Sequence, residues 1–383
     1  MDKEKSVLDV ILEESKIETS KLSRRDALKV LGISPVVAAS LASTTMATQK
    51  LNATDVKGKI AIVGGGSGGI MAMARLLSAI NNPDITLIAP NEKHIYQPGQ
   101  VFEAAGLYEN SDLFRDNSDF IPKEVKWIKE EVTTFDPENN ELICESGLKV
   151  KYDYLVIATG IGYEYEKIKG LTKEDIGKNG ISSVYLNDPK AGTATGGTIT
   201  NKWINDIKEA AKTKKPKVIY TQPNTPIKCG GAPQKILYLS ADTFRKEGLE
   251  VDMTFATNGG KLFGFPPIAK KLHEVQSQYK TITNNFKHNL VEIDVDKKIA
   301  TFHHRFEVKG EFDEDLQEYD MIDKEEMVKL PYDYIHIVPP MAPPKALAES
   351  LLGWQKGTAK GWLEVDSATL QHRRYHNVFG IGD

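Results

Sequence analysis

Two stretches of this 383-residue chain carry residue types whose spacing has chemical meaning. In the first, Gly64, Gly66 and Gly69 hold the G-x-G-x-x-G spacing, with Ser67 and Gly68 between them. The first glycine of such a run makes a tight turn, the second lets backbone approach a pyrophosphate, and the third lets helix pack on strand. A helix opening there offers N–H groups and partial positive charge to the phosphates. The second stretch is Thr225-Pro-Ile-Lys-Cys-Gly-Gly-Ala-Pro-Gln-Lys235. Cysteine reacts as its thiolate, a form that adjacent lysines and helix N-termini favour. Lys228 adjoins Cys229, Lys235 lies one to two helical turns on, and Pro233 sits in the first turn of a predicted helix. Gly230 and Gly231 open space around the sulfur instead of packing it. The other cysteine, Cys144, lies on an alternating strand without basic neighbours and reads as a small buried hydrophobe.

The elements needed to position these groups are legible around them. Lys59 to Val63 reads as a buried strand, Ile70 to Ser78 as the helix after the glycine turn, and Asp84 to Ala89 as the next strand. That order is a βαβ unit. Many dinucleotide folds end the second strand in an acid that binds the adenosine ribose. Here Ala89-Pro90 stands there, with Glu92 a little later, so the acid is missing or displaced. His94-Ile-Tyr-Gln-Pro-Gly99 reads as a punctuated loop, and Trp127–Val132 with Glu141–Cys144 as a hairpin about Pro137. Tyr154 to Gly160 is a wholly apolar strand ending in Ala-Thr-Gly. Gly160 there serves equally as a turn residue or as a close approach to a ligand.

After a Gly/Thr-rich linker and a helix from Asn201, a second βα unit begins: strand Lys217–Thr221, the Cys229 loop, a helix to Lys246 and strand Leu249–Ala256. The loop lacks a glycine motif. Thr281 to Phe302 reads as a meander, Glu307 to Lys329 as an acidic solvated insertion, and Tyr334–Val338 and Asn377–Asp383 as further short strands.

The charge of −4 and pI near 6.1 leave no nucleic-acid footprint. Two cysteines exclude a disulfide framework. The eight histidines show no ligand spacing, and the adjacent His303 and His304 point to opposite faces of a strand, so no metal site is expected. Residues 1–50 read as a leader. Ser23-Arg-Arg-Asp-Ala-Leu-Lys29 resembles a twin-arginine signal, an apolar run follows from Val30 to Ala42, and Thr45-Met-Ala47 suits cleavage. Export to the periplasmic side of a bacterial inner membrane is the expectation.

The loop Thr225–Lys235 resembles the reactive-cysteine loop of sulfide:quinone oxidoreductases, in the branch that includes the mitochondrial enzyme. The same family has segments similar to Gly64–Gly69, His94–Pro98, Pro339–Pro344 and Leu370–Asp383, in the same order. The resemblance implies an α/β flavoprotein of tandem, glutathione-reductase-like Rossmann folds. Residues 51–160 and 331–383 would form the FAD-binding domain and 161–330 a second Rossmann-like domain. It implies FAD as cofactor and sulfide and quinone as partners. Gly64, Gly66, Ser67, Gly68 and Gly69 would hold the FAD pyrophosphate. Gln97 and Val132 match FAD-contacting positions, Gly160 is counted with them as cofactor-binding, and Asp383 would take a ribitol hydroxyl. Cys229 would be one of two cysteines that pass a persulfide sulfur. Family members continue beyond the position of Asp383, and that continuation carries the partner cysteine and a membrane-facing surface. Peripheral membrane association is expected of the full-length protein, and a homo-oligomer is compatible with the sequence.

Three other readings fit parts of the same sequence. The flavin subunit of a flavocytochrome sulfide dehydrogenase shares the donor but passes electrons to a cytochrome. A type II NADH:quinone dehydrogenase is disfavoured by the missing second glycine pattern. A non-catalytic flavin-binding or sulfide-sensing protein would bind FAD and react at Cys229 without turnover.

Overall fold

The computed structural model describes residues 54–55, 57–188, 193–194, 196–313 and 317–383. The twin-arginine segment lies outside them. The chain divides into two units. One joins Met1–Val56 to Leu77–Asn81. Within it Thr54 bridges Ile80 and the Asn81 amide donates to Asp55 at 3.0 Å. The other, Lys57–Leu76 with Asn82–Asp383, holds both sheets and every candidate site residue.

In chain order the principal elements are β1 (Lys59–Val63), α1 (Ser67–Ala79), β2 (Asp84–Ile88), β3 (Lys126–Ile128), β4 (Tyr154–Ile157), β5 (Ile181–Ser182), α2 (Gly196–Ala211), β6 (Lys217–Gln222), α3 (Ala232–Lys246), β7 (Asp252–Thr257), β8 (Ile282–Asn285), β9 (His288–Asp294), β10 (Ile299–Asp313), β11 (Glu318–Pro331), β12 (Tyr334–His336) and β13 (Val378–Gly380). Two five-stranded sheets result, in the orders β13-β4-β1-β2-β3 and β5-β12-β6-β7-β8, with every pairing parallel. The middle of each follows one winding: a strand, a helix, a second strand beside the first, and a later strand on the first one's other edge. This is the doubly wound α/β arrangement, and ligands of such sheets lie beyond the carboxyl ends of the strands.

Side-chain alternation distributes the second sheet between two cores. Val218 and Tyr220 of β6, with Met253 and Phe255 of β7, pack against Trp203, Ile204 and Ile207 of α2 and Ile236, Leu237 and Phe244 of α3. Ile219 and Ala256 point the other way, onto Leu290, Ile293 and Phe302 of the antiparallel sheet β9-β10-β11. The first sheet is filled by Ala61, Val63, Ile88, Leu155, Ile157 and Val378, closed by Leu347 and Leu352.

Three expectations need correction. Trp127 does not enter a hairpin with Glu141–Cys144. It lies in β3, which pairs with β2, and its indole donates to Ala89 O at 3.0 Å. The hairpin strand is Val132–Asp136. The expected solvated insertion Glu307–Lys329 is, over its described residues 307–313 and 318–329, part of the long hairpin β10–β11, solvated as expected. Apolar residues alternate through its polar sequence, so that Val308 faces Ile322 and Phe312 meets Tyr319 at 4.9 Å. The expected boundary at 331 falls before β12, a strand of the second sheet.

Candidate active site

The glycine turn follows β1, where Gly64 N–H donates to Ile88 O at 2.9 Å. Gly64 has φ +116°, and a Cβ there would lie 2.1 Å from Ala158 O. A Cβ on Gly69 would lie 1.8 Å from Gly64 O. These two glycines let the chain turn and the helix close on the strands. At Gly66 a Cβ would meet nothing within 4 Å, so that position is bare for another reason: it borders open space. The helix begins at once. Ile70 N–H donates to Gly66 O at 3.0 Å, and the first turn directs the N–H groups of Ser67, Gly68 and Gly69 along the helix axis, away from it. Bare backbone at a helix N-terminus suits a pyrophosphate.

Neighbouring strand ends complete the cradle. Ala158 N–H donates to Val63 O at 2.8 Å and Ile381 N–H to Ile157 O at 3.0 Å. Gly160 beyond β4 has φ +69°, again with open space where a side chain would be. Gly382 comes against Gly68, and the exposed Asp383 follows it. Ala89 is wholly buried, and a Cβ on Gly65 would come within 2.8 Å of its methyl group. This position packs beneath the turn. Glu92 pairs with Lys129 at 2.8 Å on the surface.

Sequence reasoning missed a polar network that holds this turn. Asn117, fully buried, donates through Nδ2 to Asn91 O at 2.8 Å and Gly65 O at 3.2 Å. Asn91 Nδ2 reaches the same Gly65 carbonyl at 3.3 Å. The Asn117 nitrogen faces carbonyls, so its Oδ1 is the acceptor for His94 Nδ1 at 3.3 Å. In its neutral form His94 then presents Nε2 as acceptor to the Ser67 hydroxyl, 3.4 Å away. His94 stands in the short strand Lys93–Ile95, paired with Phe114–Asp116, where the proline and glycine after it predict a loop. Asn117 carried no local signal, because only the fold brings it beneath Gly65.

The cysteine loop leaves the carboxyl end of β6. Cys229 is exposed and has φ +53°, a left-handed backbone conformation unusual for a residue with a side chain. Its carbonyl accepts from Ala232 N–H at 2.8 Å, and Lys235 N–H donates to Gly231 O at 3.1 Å as α3 begins. The Lys235 ammonium lies 3.4 Å from Sγ. Neither Gly230 nor Gly231 would place a Cβ against anything within 4 Å. The loop is pinned by Met341 N–H donating to Thr225 Oγ1 at 3.0 Å, and Met341–Ala342 pairs with Gly162–Tyr163.

Lys228 joins this loop to the first domain. Its ammonium donates to Gln97 Oε1 and stands 4.9 Å over the Tyr163 ring. Burial lowers its pKa to about 8, against the opposing influence of Asp383 and Cys229. Burial, with smaller contributions from Tyr165, Tyr185 and Asp383, raises that of Tyr163. Gln97, 131 residues away in sequence, is thereby brought against the residue that precedes Cys229. Val132 stands opposite Cys144 at the start of the small antiparallel sheet. Cys144 is buried, and burial, followed by Glu130 and Glu145, raises its pKa, as suits an inert thiol.

Residues 58–188 match the pyridine nucleotide-disulphide oxidoreductase family. The chain is 37% identical over 328 residues to the mitochondrial sulfide:quinone oxidoreductase of Dictyostelium discoideum and 35% identical to that of Mus musculus. Each match covers 85% of this chain, which spans 65% of the length of either relative. Among solved structures, the sulfide:quinone oxidoreductase of Aquifex aeolicus aligns with TM-score 0.64 at 20% identity, covering 85% of this chain and 68% of its own. NDH2 of Plasmodium falciparum aligns with TM-score 0.58 at 18% identity, covering 86% and 64%. The resemblance read from the motifs and the tandem Rossmann-like fold are both borne out. The two structural likenesses speak to fold alone.

Proposed function

We propose that this chain carries the FAD-binding and sulfide-reacting parts of a sulfide:quinone oxidoreductase. The observation that carries the reading is the second βα loop: where a nicotinamide-binding fold has glycines, an exposed Cys229 stands with the Lys235 ammonium 3.4 Å from its sulfur. Relatives at 35–37% identity bearing that name support it. The first domain fits FAD on geometric grounds, because the open backbone at Gly66 and Gly160 and the helix N-terminus at Ser67 leave a cradle that side chains would fill. Gly64, Gly66, Ser67, Gly68 and Gly69 would hold the pyrophosphate, Gln97, Val132 and Gly160 would line the cofactor, and Asp383 would bind a ribitol hydroxyl.

Joining one sulfide sulfur to Cys229 Sγ as a persulfide releases two protons and two electrons. FAD held in the cradle would take up the electrons, for delivery to a quinone. Lys235 stabilises negative charge on the sulfur, and Gly230 and Gly231 leave room for the incoming anion. Peripheral membrane association and self-association belong to the same proposal. So does twin-arginine export to the periplasmic side, although the two relatives named above are mitochondrial. Anaerobic addition of sulfide to the FAD-loaded chain tests the reading. Stoichiometric bleaching of the flavin that Cys229→Ala abolishes is expected, and bleaching that survives this substitution contradicts it.

A further inference from the structure

Lys228 has no part in the sequence argument beyond its adjacency to Cys229, yet three features single it out. Its ammonium is held at a fixed place, donating to Gln97 Oε1 and lying over the face of Tyr163. It ties the cysteine loop to the loop after β2, so it spans the two sheets' functional ends. It immediately precedes Cys229 in the chain, and Asp383 acts on it electrostatically. The other cation at this sulfur, Lys235, touches it directly from α3. The two lysines therefore differ in setting: Lys235 contacts the sulfur, and Lys228, next to Cys229 in the chain, is held by Gln97 and Tyr163.

We propose that Lys228 is a positioning residue for the reaction at Cys229, fixing the cysteine loop against Gln97 and supplying a second positive charge to the sulfur. The inference rests on the reading of Cys229 as the reacting thiol. The groups that act on the ammonium are Asp383, Cys229 and, beneath it, Tyr163, while Lys235 contacts Sγ itself. Because its pKa is near 8, this second charge is present at neutral pH and is lost as the solution becomes alkaline.

The test is the rate of Cys229 alkylation by iodoacetamide, read by peptide mass spectrometry on the full FAD-loaded chain between pH 6.5 and 9.5. Unreacted Cys144, buried in the folded chain, certifies folding in each variant. Lys228→Met is expected to react about five- to tenfold more slowly than the unmodified chain at pH 7, with the ratio shrinking toward about twofold at pH 9.5. Lys228→Arg, which keeps the charge, should stay within about twofold of the unmodified chain at pH 7. A ratio constant across pH, or an arginine variant no better than methionine, overturns the proposal. Failure of Cys229 to react in the unmodified chain would instead overturn the reading of the thiol itself.

Discussion

The Lys235 ammonium rests 3.4 Å from the sulfur of Cys229, one turn into a helix whose first residue, Ala232, donates its N–H to the Cys229 carbonyl. The cation, the helix N-terminus and the left-handed cysteine all follow from a single loop conformation. Lys235→Met removes the contact without altering the fold around it, because the lysine side chain is exposed. Alkylation of Cys229 at pH 7 should slow by about three- to tenfold, with Cys144 unreactive until denaturant is added. An unchanged rate would mean that the lysine contact has no influence on the sulfur.

Gly66 and Gly69 share a motif but not a task. Gly69→Ala would drive a methyl group into Gly64 O and should lower both stability and FAD retention. Gly66→Ala meets open space in the protein, so its thermal unfolding should stay within about 0.5–1 kcal/mol of the unmodified chain, the ordinary range for a harmless glycine replacement. Its FAD affinity should nevertheless fall. Differential scanning fluorimetry beside flavin titration separates the two effects. Equal FAD affinity in Gly66→Ala would place the pyrophosphate elsewhere.

His336 gives the fold a pH dependence of known sign. It is wholly buried between Trp203 and Tyr220, its Nε2 accepts from Val184 N–H at 3.1 Å, and its Nδ1 has no partner among the described residues. Burial lowers its pKa from 6.5 to about 3. Between those values the unfolded chain binds a proton that the folded chain refuses, so stability falls as pH drops below 6.5. The slope approaches about 1.4 kcal/mol per pH unit, or about 2 kcal/mol from pH 6.5 to 5. Urea midpoints at pH 7.5 and 5 should show this loss. His336→Gln, which retains an acceptor for Val184 N–H, should show less of it, with the remainder belonging to groups such as His288 and His372, both lowered chiefly by burial. An identical slope in the variant would remove His336 from the account.

The parts of the fold legible in the sequence were those encoded locally. The Lys59–Asp84 unit declares itself by a short apolar strand, glycines and an apolar helix, and the Cys229 loop by a thiol between lysines and glycines. The remainder depends on long-range pairing. Trp127 has the same local character in a hairpin as in a parallel sheet, and its parallel pairing with Leu87 of β2 decides between them. The acidic composition of Glu307–Lys329 concealed an alternation that builds a long hairpin. Asn117 and Lys228 acquire their roles from partners at Gly65 and Gln97, distant in sequence and adjacent only after folding. Conversely, the absence of an acid at Ala89 was visible at once, while its cause, burial beneath the glycine turn, needed the structure.

If, as proposed, a thiol has taken the place of a nicotinamide site, the electron donor is sulfide and not NADH. The most direct test presents both donors anaerobically to identical samples of the FAD-loaded chain and follows the flavin absorbance, with Cys229→Ala alongside. The account predicts bleaching by near-stoichiometric sulfide, no bleaching by NADH, and loss of the sulfide response in the variant. Bleaching by NADH that is indifferent to Cys229→Ala would contradict it and make the chain part of an NADH dehydrogenase.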